Sequence, residues 1–382
     1  MRVLLAGGGS GGHVTPLHAI SESLQSQSDN LSIKVVTDRG FVAQSRQIFQ
    51  DQPDVRISKL FSGKYRRYTN KSFAWHIYHL PTFLKNIRDI FLLLLGTVQA
   101  CFLFLFSRPD VVFCKGGFVC VPVGLAARLF RVPLIIHDSD TRPGLTNRIL
   151  ARSAKTIATG MPVSFYNYEK KHMVYTGIPV DKSFQPVSTA QQSAAKQSLG
   201  LSPTAPLLVV TGGGNGAKEL NEQLNAAAPI LLENGWSIVQ LTGKNKSLRS
   251  TKQRDKLKIS LQKQWLIDEF APMVDRLLAA DIVVCRTSAS TIQECANAKK
   301  VVIGVPSPYL LDQKMNGDFL VSKNAIHMIE ESAFLKDGGS LARAVKDLYD
   351  DKQTANQLAK NLHDTFAKPA AAEQLAKLIL LA

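Results

Sequence analysis

Two short stretches of this chain follow the same plan. Val3-Leu4-Leu5-Ala6 runs into Gly7-Gly8-Gly9-Ser10-Gly11-Gly12-His13, and Leu208-Val209-Val210-Thr211 runs into Gly212-Gly213-Gly214-Asn215-Gly216-Ala217. A buried apolar strand that breaks into glycines and then into a helix is the opening of a βαβ unit. The bare turn lets backbone amides approach an anion at the positive end of the helix. Finding it twice restricts the chain to an α/β architecture with two such units. Further strands are expected at Ile33–Thr37, Val111–Phe113, Leu134–Ile136 and Thr156–Ala158, then at Ser237–Leu241, Trp265–Phe270, Ile282–Cys285 and Val301–Val305. Helical stretches separate them, so parallel, doubly wound sheets follow. A Ser-, Gln-, Pro- and Thr-rich passage at 179–206 divides the 382 residues into two similar halves, consistent with about 100–200 residues per domain.

Composition narrows the class. Apolar residues make up 45% of the chain, which excludes a disordered protein. The net charge is +16, and half of it lies between Arg56 and Arg88, where Arg56, Lys59, Lys64, Arg66, Arg67, Lys71, Lys85 and Arg88 occur without an acidic residue. This segment leads into Ile90–Phe106, the most apolar stretch of the chain. Basic charge beside apolar surface points to an anionic membrane face; without a recognition motif it does not point to nucleic acid. Ile90–Phe106 contains Gly96, Thr97 and Gln99 and is read as a helix that covers a sheet and touches lipid, ahead of a true span. The N-terminus passes straight into a strand, so no secretory signal is expected. The five cysteines are odd in number and lack a C-x-x-C pair, so reduced thiols, no metal and no cofactor are expected.

The chemistry is expected at the carboxyl edges of the strands. His13 follows the first glycine loop at a helix start, where an imidazole serves as base or oxyanion partner. Gly7, Gly9 and Gly12 also satisfy the dinucleotide spacing, with Asp38 at the end of the next strand, which makes an NAD(P)-dependent oxidoreductase a rival reading. Lys115-Gly116-Gly117 forms another exposed turn, and His137-Asp138-Ser139-Asp140 ends the following strand; either aspartate could instead cap the next helix. In the second half Arg286-Thr287-Ser288-Ala289-Ser290-Thr291 opens a helix carrying Glu294, placed to take a ribose. Thr291-x-x-Glu294 also fits a capping box. Asp312, Gln313 and Asn316 follow the strand that ends at Val305.

Taken together, these segments resemble the GT-B glycosyltransferases, and among them the enzymes that add N-acetylglucosamine to lipid I in peptidoglycan synthesis. The resemblance spans the chain and rests on GGGSGGHVTP (7–16), SGKYRRY (62–68), KGGFVCVPVGLAA (115–127), IHDSDTRPGLTNRILAR (136–152), TGIPV (176–180), GGGNGAKELN (212–221), RTSASTIQE (286–294) and DQKMN (312–316). It implies two Rossmann-like domains facing across a cleft. The first, 1–179, would bind acceptor and membrane and be completed by the C-terminal helix 363–382; the second, 180–362, would bind the UDP-sugar.

The resemblance also implies site roles. Glu294 would hold the uridine ribose, Ser290 and Thr291 the diphosphate, and Asp312 and Gln313 the sugar hydroxyls. Arg286, the loop residues Gly213, Gly214 and Asn215, and Ser10, Gly11 and Gly12 would complete the donor set. Gly8, Gly9, Lys115, Gly116 and Gly117 would face the acceptor and its phosphates, with the catalytic base drawn from His13, Asp138 and Asp140. Lys64, Arg66, Arg67, Lys71 and Trp75 would meet the membrane. The implied partners are UDP-N-acetylglucosamine, lipid I, anionic inner-membrane lipid and other cell-wall synthesis proteins, at the cytoplasmic face of the plasma membrane. The chain departs from the commoner family pattern at Asp138 and Asp140 (Glu and Asn), Asp181 (Arg), Gly214-Asn215 (Ser-Gln) and Thr287-Ser288 (Ala-Gly). A UDP-sugar epimerase, a related lipid glycosyltransferase and a non-catalytic membrane scaffold are the remaining alternatives.

Overall fold

A computed structural model describes residues 1–64, 78–334 and 338–382. Arg66, Arg67, Lys71 and Trp75, expected at the membrane, lie outside the described residues; Lys64 is exposed. Contacts divide the chain into two compact units, Met1–Val180 with Ala370–Ala382, and Asp181–Pro369.

The first unit contains β1 (Arg2–Gly7), β2 (Ser32–Asp38), β3 (Arg56–Leu60), β4 (Val111–Gly116), β5 (Leu134–Asp138), β6 (Thr156–Thr159) and β7 (Met173–Tyr175). They form a parallel sheet in the order β3-β2-β1-β4-β5-β6-β7. Its helices include α1 (Gly11–Gln27), α2 (Val42–Ile48), α3 (Leu80–Phe106) and α4 (Cys120–Leu129). Side chains alternate across the sheet. Leu4 and Ala6 join one core with α4, Ala100 and Phe104. Val3 and Leu5 join another with Leu17 and Ile20 of α1.

The second unit repeats the plan with β8 (Leu207–Thr211), β9 (Ser237–Leu241), β10 (Trp265–Asp268), β11 (Ile282–Cys285), β12 (Val301–Gly304) and β13 (His327–Met328), ordered β10-β9-β8-β11-β12-β13. Helices α5 (Lys218–Glu233), α6 (Ala289–Asn297), α7 (Leu311–Ser322) and α8 (Lys352–Phe366) belong to it. In both sheets the strand order reverses beside the strand that leads into the glycine loop, which is where open α/β sheets bind ligands. A final helix, α9 (Ala371–Leu380), packs on α1 and places Leu375, Ala376 and Ile379 in the first unit's core. The crossing falls at Pro369–Ala370 instead of 363. Residues up to Phe366 remain with the second unit because Leu362 and Phe366 are buried there and His363 Nδ1 donates to the Ala296 carbonyl at 2.8 Å.

Strands β3, β7 and β13 were not expected. All three are sheet edges and partly exposed, and β7 and β13 are only three and two residues long. At the other extreme, the strand expected to reach Phe270 stops at Asp268, and Phe270 is exposed.

The apolar stretch is longer than expected: α3 begins at Leu80, not Ile90, and spans 27 residues. It is long and apolar enough to cross a bilayer by composition, yet part of its polarity is turned inward. Thr82, Asn86 and Asp89 are buried, whereas Ile87, Phe91, Leu94 and Val98 are exposed. The residues that interrupt the apolar run make the docking surface. A Cβ on Gly96 would strike the Phe61 carbonyl, and one on Gly63 would strike that of Asp89. Gln99 pairs with the open edge of β3, accepting from Phe61 N–H at 3.0 Å and donating to Lys59 O at 3.2 Å. Gly96→Val should therefore lower stability in urea denaturation by about 1–3 kcal/mol. The exposed Leu94→Gln should change it by no more than about 0.5 kcal/mol.

Candidate active site

In the first unit, β1 ends in a loop whose close approaches at Gly7, Gly8 and Gly9 leave no room for a Cβ. The carboxylate of Asp38 accepts the Gly9 N–H at 2.6 Å and the Gly40 N–H at 2.9 Å, so it is spent on holding the turn. A Cβ on Gly8 would press on that carboxylate, and one on Gly117 would strike the Gly8 carbonyl. Gly9 lies in the left-handed region, φ +80°, against the Phe118 ring. Ser10 stands at the N-cap position of α1 without a side-chain bond to its amides, and the amides of Gly11 and Gly12 head the helix.

His13 sits in the first turn of α1. Its Nδ1 is 2.8 Å from the Gly8 carbonyl oxygen and 3.2 Å from Ser10 Oγ. A carbonyl can only accept, so the proton is on Nδ1 and the lone pair on Nε2. Gly116, φ +128°, leaves room for the other side of the ring, since a Cβ there would lie 3.2 Å from Nε2. Burial, then the nearby charge of Lys115, pushes the imidazole down to about 4, against opposing pulls from the Gly8 carbonyl and Asp38. His13 is therefore a neutral acceptor at physiological pH.

Lys115, at the end of β4, is 1% exposed. Its ammonium donates to Ser139 Oγ, which stands 3.4 Å from His137 Nδ1; the His137 Nε2 proton goes to the Gly177 carbonyl at 2.8 Å. Burial pushes Lys115 down to about 8, while Asp140 and Asp138 favour its charge. The two aspartates differ. Asp138 is buried, accepts from Tyr168 Oη at 2.8 Å and from Gly144 N–H at 3.3 Å, and is raised to about 6 by that burial. This is a positioning arrangement, not that of an accessible base. Asp140 is half-buried, with Lys115 close enough to feel its charge. Tyr166 Oη donates to the carbonyls of Asp140 (2.9 Å) and Asp138 (3.2 Å). Tyr166 and Tyr168 were missed because only folding brings 166–168 to the strand end.

In the second unit the glycine loop carries positive φ at Gly213 and Gly216. Gly216 packs directly on Gly243, where neither tolerates a Cβ. Gly214 and Asn215 are exposed. The loop after β9, also missed, clasps this turn: Lys246 Nζ donates to the carbonyls of Asn215 (2.9 Å) and Gly216 (3.3 Å). The Glu269 carboxylate fixes that loop through Asn245 N–H and Ser247 Oγ. Gly243-Lys244 directly after an apolar strand was the available signal.

Helix α6 starts at Ala289 with Ser288 at its N-cap, so Thr291 lies inside it and Thr291–Glu294 is not a capping box. The amides of Ala289, Ser290 and Thr291 head the helix, and Glu294 lies about one turn in, half-buried. Burial, with the Asp181 carboxylate adding to it, raises Glu294 to about 8. Arg286 is 6% exposed, ion-paired to Glu331 at 2.5 Å and bonded to the Val305 carbonyl, so it secures the β11 and β12 ends. Gln313 is largely spent on the Ser307 N–H, and Asn316 donates to the Thr287 carbonyl; Asp312 is half-buried at the start of α7.

Glycosyltransferase family 28 accounts for both units: its N-terminal domain matches residues 3–159 and its C-terminal domain residues 207–375. A UDP-N-acetylglucosamine--N-acetylmuramyl-(pentapeptide) pyrophosphoryl-undecaprenol N-acetylglucosamine transferase of Bacillus thuringiensis is 30% identical over 363 residues, 95% of this chain and 91% of its own. The chain belongs to glycosyltransferase family 28. An enzyme of the same name from Lachnoclostridium phytofermentans is 30% identical, over 94% of each chain. Among solved structures, Acinetobacter baumannii MurG superposes with a TM-score of 0.69 at 23% identity, covering 100% of this chain and 99% of its own. A Neisseria meningitidis UDP-GlcNAc 2-epimerase bound to UDP-GlcNAc gives 0.67 at 13% identity and full coverage of both chains. At such identities the two structures speak for the fold alone. Membership in family 28, with Asp38 locked on the loop, removes the oxidoreductase reading.

Lys115→Met removes a cation that depresses the imidazole. An NMR titration of His13 should show its pKa rising from about 4.

Proposed function

We propose that this family 28 glycosyltransferase moves N-acetylglucosamine from UDP-N-acetylglucosamine to lipid I, giving lipid II with inversion at the transferred carbon. The observation that carries this reading is the end-to-end 30% identity, through both domains, to enzymes named for that reaction. His13 Nε2 takes the proton of the acceptor hydroxyl as its oxygen bonds to the sugar C1. The bond from C1 to the β-phosphate oxygen breaks, and its electron pair leaves with UDP. The charge that develops on the diphosphate is met by the amides heading α6 and by the second glycine loop. Lys246 holds that loop, and Lys244 beside it brings a further cation. Glu294 takes the ribose hydroxyls, and Asp312 with Gln313 borders the sugar.

The acceptor is a lipid, and the outward face of α3 supports work at a membrane surface, with the protein peripheral on the cytoplasmic face. Its row of exposed Ile87, Phe91, Leu94 and Val98 suits the acyl boundary, while Thr82, Asn86 and Asp89 are buried against the protein and Lys85 and Arg88 stay exposed.

Incubating the protein with radiolabelled UDP-N-acetylglucosamine and a lipid I analogue should label the lipid. Intact donor and unlabelled lipid would refute the assignment. In the same assay His13→Ala should lower kcat by about 10²–10⁴-fold with KM little changed. Glu294→Ala should weaken UDP binding, measured by calorimetry, by about tenfold or more.

A further inference from the structure

A cavity of about 450 Å³ opens on the second unit at the amino ends of β11 and β12, whose first residues Ile282 and Val301 line it. In a parallel sheet that is the edge opposite the glycine loop after β8. Four lysines line the cavity, Lys299, Lys300, Lys352 and Lys360, against the single carboxylate of Asp281. That carboxylate is already engaged. Its Oδ2 accepts from Lys196 Nζ at 2.6 Å and Leu207 N–H at 2.7 Å, and its Oδ1 from Gln192 Nε2 at 3.0 Å.

Lys300 is 6% exposed, and its ammonium donates to the carbonyls of Leu278 (2.9 Å) and Ala280 (3.1 Å). Gln192 Nε2 donates to the same Ala280 carbonyl at 2.9 Å, which draws Lys300 and Asp281 into one corner. Two buried ammoniums, Lys196 and Lys300, therefore share one carboxylate, and burial pulls Lys300 down to about 8 against the charge of Asp281. A buried cation without its own counter-charge costs free energy that a bound anion returns.

The other three cations are exposed. Lys352, Asn356 and Lys360 recur every four residues on α8 and share a face, and the small side chains of Ala355 and Ala359 beside them leave the space open. Lys352 Nζ lies 3.0 Å over the ring of Tyr349, another lining residue. Lys299 takes the left-handed position after α6, φ +53°, where glycine is the usual residue. Among the described residues no carboxylate pairs with Lys299, Lys352 or Lys360.

Spacing and lining select the ligand. Lys352 and Lys360 are two helical turns apart, about 12 Å along the axis of α8. A single phosphate meets one end of that row, and a chain of phosphates meets both. No exposed large apolar side chain lines the cavity, so nothing there suits an acyl chain. A space of this volume takes a small molecule.

We propose that this cavity binds a soluble linear oligophosphate, at a site separate from the donor edge. Helix α6 joins the two places: its first amides head the donor edge, and its last turn leads into Lys299 and Lys300.

The test is calorimetric titration of the full chain with tripolyphosphate, with UDP in excess to occupy the donor edge. The wild type should bind tripolyphosphate, and orthophosphate at least about tenfold more weakly. Lys299→Gln/Lys352→Gln/Lys360→Gln, folded by circular dichroism, should bind tripolyphosphate at least about tenfold more weakly than wild type. Asn356→Glu, which sets a carboxylate between two of the lysines at an exposed position, should also weaken it. The control Lys252→Gln/Lys256→Gln/Lys263→Gln, which removes the same charge from other exposed positions of the second unit, should bind like wild type. No binding by the wild type, or equal affinities in the cavity and control variants, would overturn the site. Orthophosphate binding as tightly as tripolyphosphate would overturn the choice of ligand. Failure of UDP itself to bind would defeat the donor reading and not this one, which the charge variants still decide.

Discussion

The hydrogen bond from His13 Nδ1 to the Gly8 carbonyl is the interaction on which the geometry of the first unit's glycine turns depends. It selects the tautomer and aims the Nε2 lone pair toward Gly116. It also requires Gly8 to present its carbonyl inward, which the Asp38 carboxylate secures by holding the next amide. Gly117 must then be bare, because its Cβ would occupy the space taken by that same carbonyl. A histidine, an aspartate and two glycine turns thus act as one unit.

The second unit reaches a similar end differently. Its glycine loop is held from outside by Lys246 and by the contact of Gly216 with Gly243. The nearby carboxylate, Glu294, is shifted upward by burial and by Asp181. Asp181 sets a second carboxylate charge near Glu294.

Much of the fold was readable because central strands of parallel sheets are apolar on both faces. β1, β4, β8 and β11 announce themselves, and the glycines after β1 and β8 mark where the strand order reverses. Edge strands β3, β7 and β13 carry no such pattern, since only one side of each is covered. The start of α3 was hidden for the opposite reason. Its first three turns place polar Thr82, Asn86 and Asp89 inward, so an apolar count begins too late.

The amino-acid order alone determined two glycine-turn units, the positions of their ligand edges and the family to which they belong. Those follow from local requirements: a turn without Cβ, a strand buried on both faces, a helix start beside an anion. Tertiary structure decided which polar groups are still available to a ligand. Asp38, Asp138 and Arg286 look alike in sequence to His13 and Glu294. Packing spends the first three on neighbouring backbone and side chains. It leaves His13 with an open lone pair, because availability is set by partners far away in the chain.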